Sequence, residues 1–403
     1  MKVATVAGGV TTPRGFKASG VGVGIKRGEG QLDLALLAAD RPAAAAAVFT
    51  TNRAQAAPVV VSREHLRASG GFARAIIVNS GCANACTGEQ GLEAARAMAA
   101  DTARLLGCRP EEVLVASTGV IGVALPIDRI RRGLPSAIAA LGDDQGAAAA
   151  RAIMTTDPFP KESAARLVAG GRPVAIGGMA KGSGMIEPKL ATMLAFLTTD
   201  AAAPPPLLDR ALREAVAVTF NAITVDGECS TNDCVMLLAS GASGATLTDA
   251  EYPAFVSALT AVCRELALGI VRGGEGATKL IAVTVTGAAT EDEARRAAKT
   301  IANSPLVKTA IHGGDPNWGR LVAAAGRADV AFDLARASAA IGPMTLFRDG
   351  QPHDEAAPEA AAYLRANAEI EVTVHLGAGS ASATVWTCDL SAEYVRINAE
   401  YRT

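Results

Sequence analysis

The sequence predicts a layered α/β or α+β protein with mixed sheets. Strand-like and helix-like segments interleave along the whole chain, and several strand-like segments follow one another directly, which breaks a regular βαβ repeat. With 403 residues, half of them hydrophobic, the chain can bury a substantial core. That length suggests two or three lobes, although no compositional linker divides them.

The elements follow in order from periodicity and punctuation. Residues 1 to 61 read as short strands and turns: Val21 to Ile25 alternates, and Ala44 to Phe49 and Pro58 to Val61 are β-compatible. Ala75 to Val78 reads as a buried strand emptying into the small-residue loop Asn79 to Asn84, and Glu89 to Leu106 as an amphipathic helix. Val113 to Ala116 is a strand that ends in Ser117-Thr118-Gly119-Val120-Ile121-Gly122, where the glycines permit tight backbone geometry. Helical patterns over Ile127 to Leu141 and Ala147 to Thr155 stop at Asp157-Pro158-Phe159-Pro160, and Pro173 to Gly177 is a strand. A polar, glycine-broken loop from Ala180 then runs into an apolar strand, Leu190 to Leu197. Helix Leu207 to Val218 is followed by strand Asn221 to Val225, the polar tip Asp226 to Asp233, and strand Cys234 to Ala239. Helix Ala250 to Ile270, the glycine cluster 272–279, strand Leu280 to Thr286 and helix Glu291 to Ala302 come next. Ile370 to Leu376 and Ser382 to Cys388 suggest a hairpin around Gly377-Ala378-Gly379-Ser380, and Ala392 to Thr403 a docked tail.

Composition excludes several classes of function. A net charge of −2 gives no electrostatic footprint for nucleic acid or an anionic membrane, and 4% aromatics leaves few platforms for base stacking. No apolar run reaches the ~18 residues of a membrane span, and the N-terminal apolar stretch is too short for a secretory core, so the cytoplasm is the expected location. Seven cysteines fit free thiols in a reducing compartment. The spacings Cys82-x3-Cys86 and Cys229-x4-Cys234 are not a zinc pattern, and Asp226, Glu228, Asn232 and Asp233 read as a solvated turn; no metal and no cofactor is expected.

Three glycine-rich or histidine motifs do not carry chemistry as they stand. Gly273 to Leu280 lacks the Gly-Lys-Ser/Thr order of a phosphate loop, and Gly177 to Gly184 lacks the spacing of a dinucleotide fingerprint. Of the four histidines only His312 lies in a loop of catalytic aspect, and the adjacent Gly-Gly-Asp-Pro-Asn is equally strong turn chemistry. A histidine base is therefore poorly supported, which raises the standing of Thr192. If the Ala191–Thr192 bond were cut, Thr192 would carry a hydroxyl and a free α-amine, a nucleophile and a base within one residue. The alternative is a threonine on a buried strand.

Lys181-Gly182-Ser183-Gly184-Met185-Ile186 running to Leu190-Ala191-Thr192-Met193-Leu194 resembles the self-cleavage signature of the ornithine acetyltransferase family, also called glutamate N-acetyltransferase, of arginine biosynthesis. The likeness extends to Ser117 to Gly122, Met154-Thr155-Thr156-Asp157, Asn221 to Asp233, Gly274 to Lys279, Gly313 to Arg320, and the terminal Asn398 and Thr403. The resemblance implies layered helices and mixed sheets in an α-β-β-α-like sandwich. It implies a precursor cut between Ala191 and Thr192 into chains 1–191 and 192–403, assembled as a heterotetramer of two cleaved copies. Thr192 would take the acetyl group of N2-acetyl-L-ornithine and pass it to L-glutamate through an acetyl-threonine ester, with acetyl-CoA open as a second donor. Thr118 and Gly119 would form the oxyanion hole. Thr155 (with Thr156 as its one-residue alternative), Lys181, Thr192, Glu275, Asn398 and Thr403 would contact substrate. A rival within the same architecture is an amidohydrolase or aminopeptidase with water as acceptor, and a more distant one is a non-catalytic small-molecule binding protein.

Overall fold

The computed structural model describes residues 4–187 and 193–400, which form two compact units. The first takes residues up to 221 together with 228–270, and the second takes 222–227 and the chain from 271 onward.

In the first unit the chain runs β1 (Ala4–Val6), β2 (Phe16–Val21), β3 (Leu34–Phe49), α1 (Ala57–Ala68), β4 (Phe72–Cys82), α2 (Gly88–Leu106), β5 (Val113–Val120), α3 (Ile127–Ala139), α4 (Gly146–Ala152), β6 (Lys161–Ala169), β7 (Arg172–Lys181), β8 (Leu194–Thr199), α5 (Pro205–Ala217), β9 (Cys234–Ala239) and α6 (Tyr252–Arg272). The strands hydrogen-bond in the order β1-β6-β7-β8-β9-β3-β4-β5, with β2 also on β3. The β8–β9 and β4–β5 pairs are parallel and the others antiparallel, so the sheet is mixed.

Strand alternation builds the layers. On β4, Ile76 and Val78 enter a core shared with Phe196 on β8 and Met236 and Leu238 on β9, while Ala75 and Ile77 face a second core with α1, α2 and α3. Gly178 on β7 faces Leu266 of α6, which covers the sheet on its other side. The mixed sheet is thus covered by α1, α2 and α3 on one side and by α6 on the other, within the layered α/β class that the sequence predicts. The 21-residue α6 is long and apolar enough to cross a bilayer by length and composition, but Phe255, Leu259, Leu266 and Ile270 are buried in the molecule.

The second unit adds β10 (Leu280–Ala288), α7 (Glu291–Ala302), α8 (Pro305–Gly313), α9 (Trp318–Gly326), β11 (Ser338–Ile341), β12 (Met344–Arg348), β13 (Gln351–Pro352), α10 (Ala357–Ala366), β14 (Glu369–His375), β15 (Ala381–Cys388) and α11 (Ala392–Glu400). Its sheet runs β13-β12-β11-β14-β10-β15. Ile281, Val283 and Val285 of β10 pack with Ala294, Ala298 and Ile301 of α7 in one core.

The structure corrects four local expectations. Pro58 to Val61 is not strand but the first turn of α1, where proline is tolerated because its missing N–H would be unpaired anyway. Burial of Val59 and Val61 and the Ser62 hydrogen bonds to Val115 outweigh their β-branched preference. β2 ends at Val21 because the Asp33 carboxylate captures the N–H groups of Val23, Ile25 and Lys26, which a strand partner would otherwise need. Residues 221–225 form a 3-10 turn and bends, with Thr224 N–H bonded to the Trp386 carbonyl. The predicted hairpin between the last two strands does not exist, because β10 lies between them, parallel to β14 and antiparallel to β15. A buried central strand needs a partner on each edge to satisfy its backbone, and the two C-terminal strands supply both.

Candidate active site

The first unit gathers three of the predicted residues around one ammonium. Lys181, the last residue of β7, is only 8% exposed. Its Nζ donates to the Thr118 hydroxyl at 3.1 Å and to the Thr155 hydroxyl at 2.8 Å. Thr155 rather than Thr156 thus meets the lysine. A hydroxyl whose oxygen accepts from an ammonium must aim its own proton elsewhere, and such chains strengthen the outward donor. Thr118 is therefore a polarised donor.

Gly119 follows at a β-bulge, where β5 pairs with β4 through Gly81 and Cys82. Its φ of +127° is open to glycine, and a Cβ there would stand 2.4 Å from the Gly81 carbonyl carbon. Residues 113–117 of β5 are buried, whereas Thr118, Gly119 and Val120 are half-buried, so the strand delivers these groups to an accessible edge.

Asp157 organises the cluster from beneath. Its Oδ1 accepts from Lys161 Nζ at 2.5 Å and from the Gly182 N–H at 2.7 Å, and its Oδ2 accepts from the Thr155 N–H at 3.0 Å. One carboxylate thereby fixes the backbone on both sides of the Lys181–Thr155 pair. Burial would raise its pKa, but the Lys181 and Lys161 charges and these hydrogen bonds outweigh burial and hold it at about 2.

Lys26 adds a further cation beside the same bulge. The Asp33 carboxylate shapes the 23–26 loop, and a Cβ on Gly81 would meet Lys26 Cγ and N at 3.0 and 3.2 Å. Its Nζ donates to the Leu32 carbonyl at 2.8 Å. Burial pulls the Lys26 ammonium down to about 8 against the opposing charge of Asp33, and the Lys181 charge adds to the lowering.

The tip before β9 is not the solvated turn that its composition suggests. Asn232 and Asp233 are buried, because the Asn232 amide satisfies the Ala83 and Ser117 carbonyls at 2.6 and 2.9 Å and ties the tip to β5. Asp226 and Glu228 do remain at least partly exposed. Among the described residues no group of three or more His, Cys, Asp or Glu side chains is placed to hold a metal.

In the second unit Glu275 is 5% exposed and accepts from Asn398 Nδ2 at 2.8 Å, so the tail is docked as a helix. Glu275 is thus no surface carboxylate. His312 lies in the last turn of α8, with Nδ1 2.7 Å from Asp389, whose carboxylate also accepts from Thr278 and Lys279. That arrangement fastens the glycine-rich loop. All seven cysteines are free thiols. Ala191, Thr192 and Thr403 lie outside the described residues.

Sequence reasoning missed Lys26, Asp157, Lys161 and Asp233 as parts of this region. Asp157 stood within a quoted motif, but only the fold reveals what it holds.

The chain matches the ArgJ family model over residues 17–403. It is 53% identical to the arginine biosynthesis bifunctional protein ArgJ of Symbiobacterium thermophilum over 99% of each chain. It is 50% identical to that of Thermosynechococcus vestitus, again over 99% of each. The crystal structure of an arginine biosynthesis bifunctional protein ArgJ from Bacillus halodurans is similar at 45% identity with a TM-score of 0.51, covering 52% of this chain and all of that one.

Proposed function

The chain belongs to the ArgJ family and is an enzyme of arginine biosynthesis, and on that premise we propose that it transfers the acetyl group of N2-acetyl-L-ornithine to L-glutamate through an acetyl ester on Thr192. The Thr192 hydroxyl oxygen attacks the acetyl carbonyl, the carbon–nitrogen bond breaks, and ornithine leaves with a proton on its amine. The glutamate amine then attacks the ester, giving N-acetyl-L-glutamate and freeing the hydroxyl.

Each half-reaction passes through an oxyanion that needs donors aimed at it. In this reading the donors are the Thr118 hydroxyl and the Gly119 N–H. The observation that carries it is the Lys181 hydrogen bond to Thr118, which leaves that hydroxyl free to donate outward. Thr155 and Lys181, and separately Glu275 and Asn398, are proposed substrate contacts, and family resemblance adds Thr403 to the set. Both substrates carry a carboxylate and an amine, which suit an ammonium and a carboxylate respectively.

The nucleophile becomes a chain start when the precursor cuts between Ala191 and Thr192, leaving chains of 191 and 212 residues that assemble as a heterotetramer. Relatives named bifunctional support a second activity, acetylation of glutamate by acetyl-CoA.

Intact mass of freshly purified protein beside Thr192→Ala is the first test: two species for the wild type and one for the variant are expected. Acetylornithine with glutamate should then yield N-acetylglutamate, and acetyl-CoA with glutamate tests the second donor. One uncut wild-type chain would remove the threonine nucleophile. Acetate as product instead of N-acetylglutamate would favour an amidohydrolase.

A further inference from the structure

The Thr118–Gly119 peptide lies between a half-buried threonine and a glycine with φ of +127°. Glycine lets such a plane rotate at little steric cost. A rotated plane would swing the Gly119 N–H away from an oxyanion, and donors act only when they are already aimed. The edge therefore needs a brace from outside β5.

Asn232, on the tip before β9, supplies one. It is buried, and its Nδ2 donates at 2.9 Å to the Ser117 carbonyl and at 2.6 Å to the Ala83 carbonyl. One amide thus spends its two hydrogens on β5 and on the chain leaving β4, the two segments that make the bulge. A peptide is planar and trans, so a Ser117 carbonyl held toward Asn232 points the Thr118 N–H the opposite way. That fixes the plane leading into Thr118. Beyond Gly119, the Ala83 N–H donates to the Val120 carbonyl at 3.0 Å. The peptide before the Thr118–Gly119 plane and the carbonyl after it are therefore both tied, directly or through Ala83, to one side chain.

The amide has a defined orientation and a rigid base. The Thr231 hydroxyl donates to Asn232 Oδ1 at 2.7 Å, which turns the NH2 end toward the two carbonyls. Thr50 holds the tip from the end of β3: its N–H donates to the Asp233 carbonyl and its hydroxyl to that of Ser230, both at 2.9 Å. The Ala56 N–H donates to the Thr231 carbonyl at 2.9 Å, and Asn52 Nδ2 to that of Cys229 at 2.8 Å. Asn79 adds a tie within β4, accepting from the Ser117 hydroxyl at 2.6 Å and donating to the Cys82 carbonyl at 2.8 Å. It leaves the Ser117 carbonyl to Asn232. Water would satisfy that carbonyl too, but would not hold the plane still; a buried amide on a fixed tip does.

We propose that Asn232 is the positioning residue of the oxyanion hole, a role that rests on the reading of Thr118 and Gly119 as its donors. Asn232 acts through the backbone, by keeping the Thr118 hydroxyl and the Gly119 N–H converged. Both half-reactions use those donors, so both depend on it to the same degree.

The test is steady-state kinetics on wild type, Asn232→Leu, Thr118→Val and the double variant, each checked by circular dichroism. Asn232→Leu keeps the volume and removes both donated hydrogen bonds. Its kcat/KM should fall about 10- to 10²-fold for acetylornithine and by the same factor for glutamate, somewhat less than the loss of an oxyanion donor outright. The dissociation constant of ornithine should not change, whereas general loosening of the site would raise it. Groups that act as a unit are not additive, so Asn232→Leu should cost less on Thr118→Val than on wild type. Folded Asn232→Leu at wild-type rates overturns the proposal, as does an additive loss or weakened ornithine binding. If Asn232→Leu does not fold, Thr231→Val takes its place: freeing the amide should slow both half-reactions by the same few-fold factor, and unchanged rates overturn the proposal. Thr118→Val at full activity removes the oxyanion reading and this proposal together. A slow Thr118→Val confines any failure to Asn232.

Discussion

The Lys181 ammonium donates to the Thr155 hydroxyl at 2.8 Å, joining the end of β7 to the turn after α4, while its second bond at 3.1 Å reaches Thr118 on β5. Lys181→Met should leave the fold in place but turn both hydroxyls toward other partners. We expect kcat for acetyl transfer to fall about 10²- to 10³-fold, the range for losing one oxyanion donor. Steady-state kinetics with a circular dichroism check decides it. An unchanged kcat with a raised KM would make Lys181 a binding group alone.

Gly119→Ala tests the bulge. The added methyl meets the Gly81 carbonyl carbon at 2.4 Å on a backbone with φ of +127°, so the backbone must shift. A loss of at least ~10²-fold in acetyl transfer is expected, with a lowered melting temperature. Full activity would show that the Gly119 N–H is not used.

Asp157 should make the enzyme acid-sensitive. A carboxylate held at about 2 instead of its ordinary 3.8 contributes stability above the unfolded value, of order 2 kcal/mol, that is lost as pH falls through that window. Asp157→Asn should remove this acid limb. It should also cost ~3–5 kcal/mol at neutral pH, because the buried Lys161 loses its counter-charge. Urea midpoints at two pH values measure both effects.

Lys26 runs with the opposite sign. Its pKa is lowered from 10.5 to about 8, so its charged form is disfavoured in the fold. The stability cost is present below about 8 and relieved as pH rises from about 8 toward 10.5. Lys26→Met should raise the urea midpoint at neutral pH and flatten that alkaline gain. A lower midpoint would show that the Lys26 bond to Leu32 outweighs burial.

Asn398→Asp sets a second carboxylate at hydrogen-bond distance from buried Glu275. Like charges so placed cannot both ionise freely. We expect KM for substrate to rise about tenfold and α11 to loosen, visible as faster amide exchange between 392 and 400. Unchanged kinetics would leave the pair a tail clasp.

The sequence by itself determined the layered α/β class and most strands and helices, with Glu291–Ala302 placed to the residue. Those features live in local periodicity and in where glycine and proline stop it. It also carried the family, through short motifs in fixed order. The sheet partners of β10, the helix at Pro58 and the burial of Asp233 were not legible, since each depends on which distant segment covers a backbone or a side chain. The site has the same limit. Thr118, Thr155 and Lys181 are recognisable as motif residues, but their convergence joins positions up to 63 residues apart. Lys26 carries no local mark, and Asp157 stands in a quoted motif whose sequence does not say what it holds. Burial and neighbouring charge set the proton affinity of a side chain, and only the tertiary structure decides both.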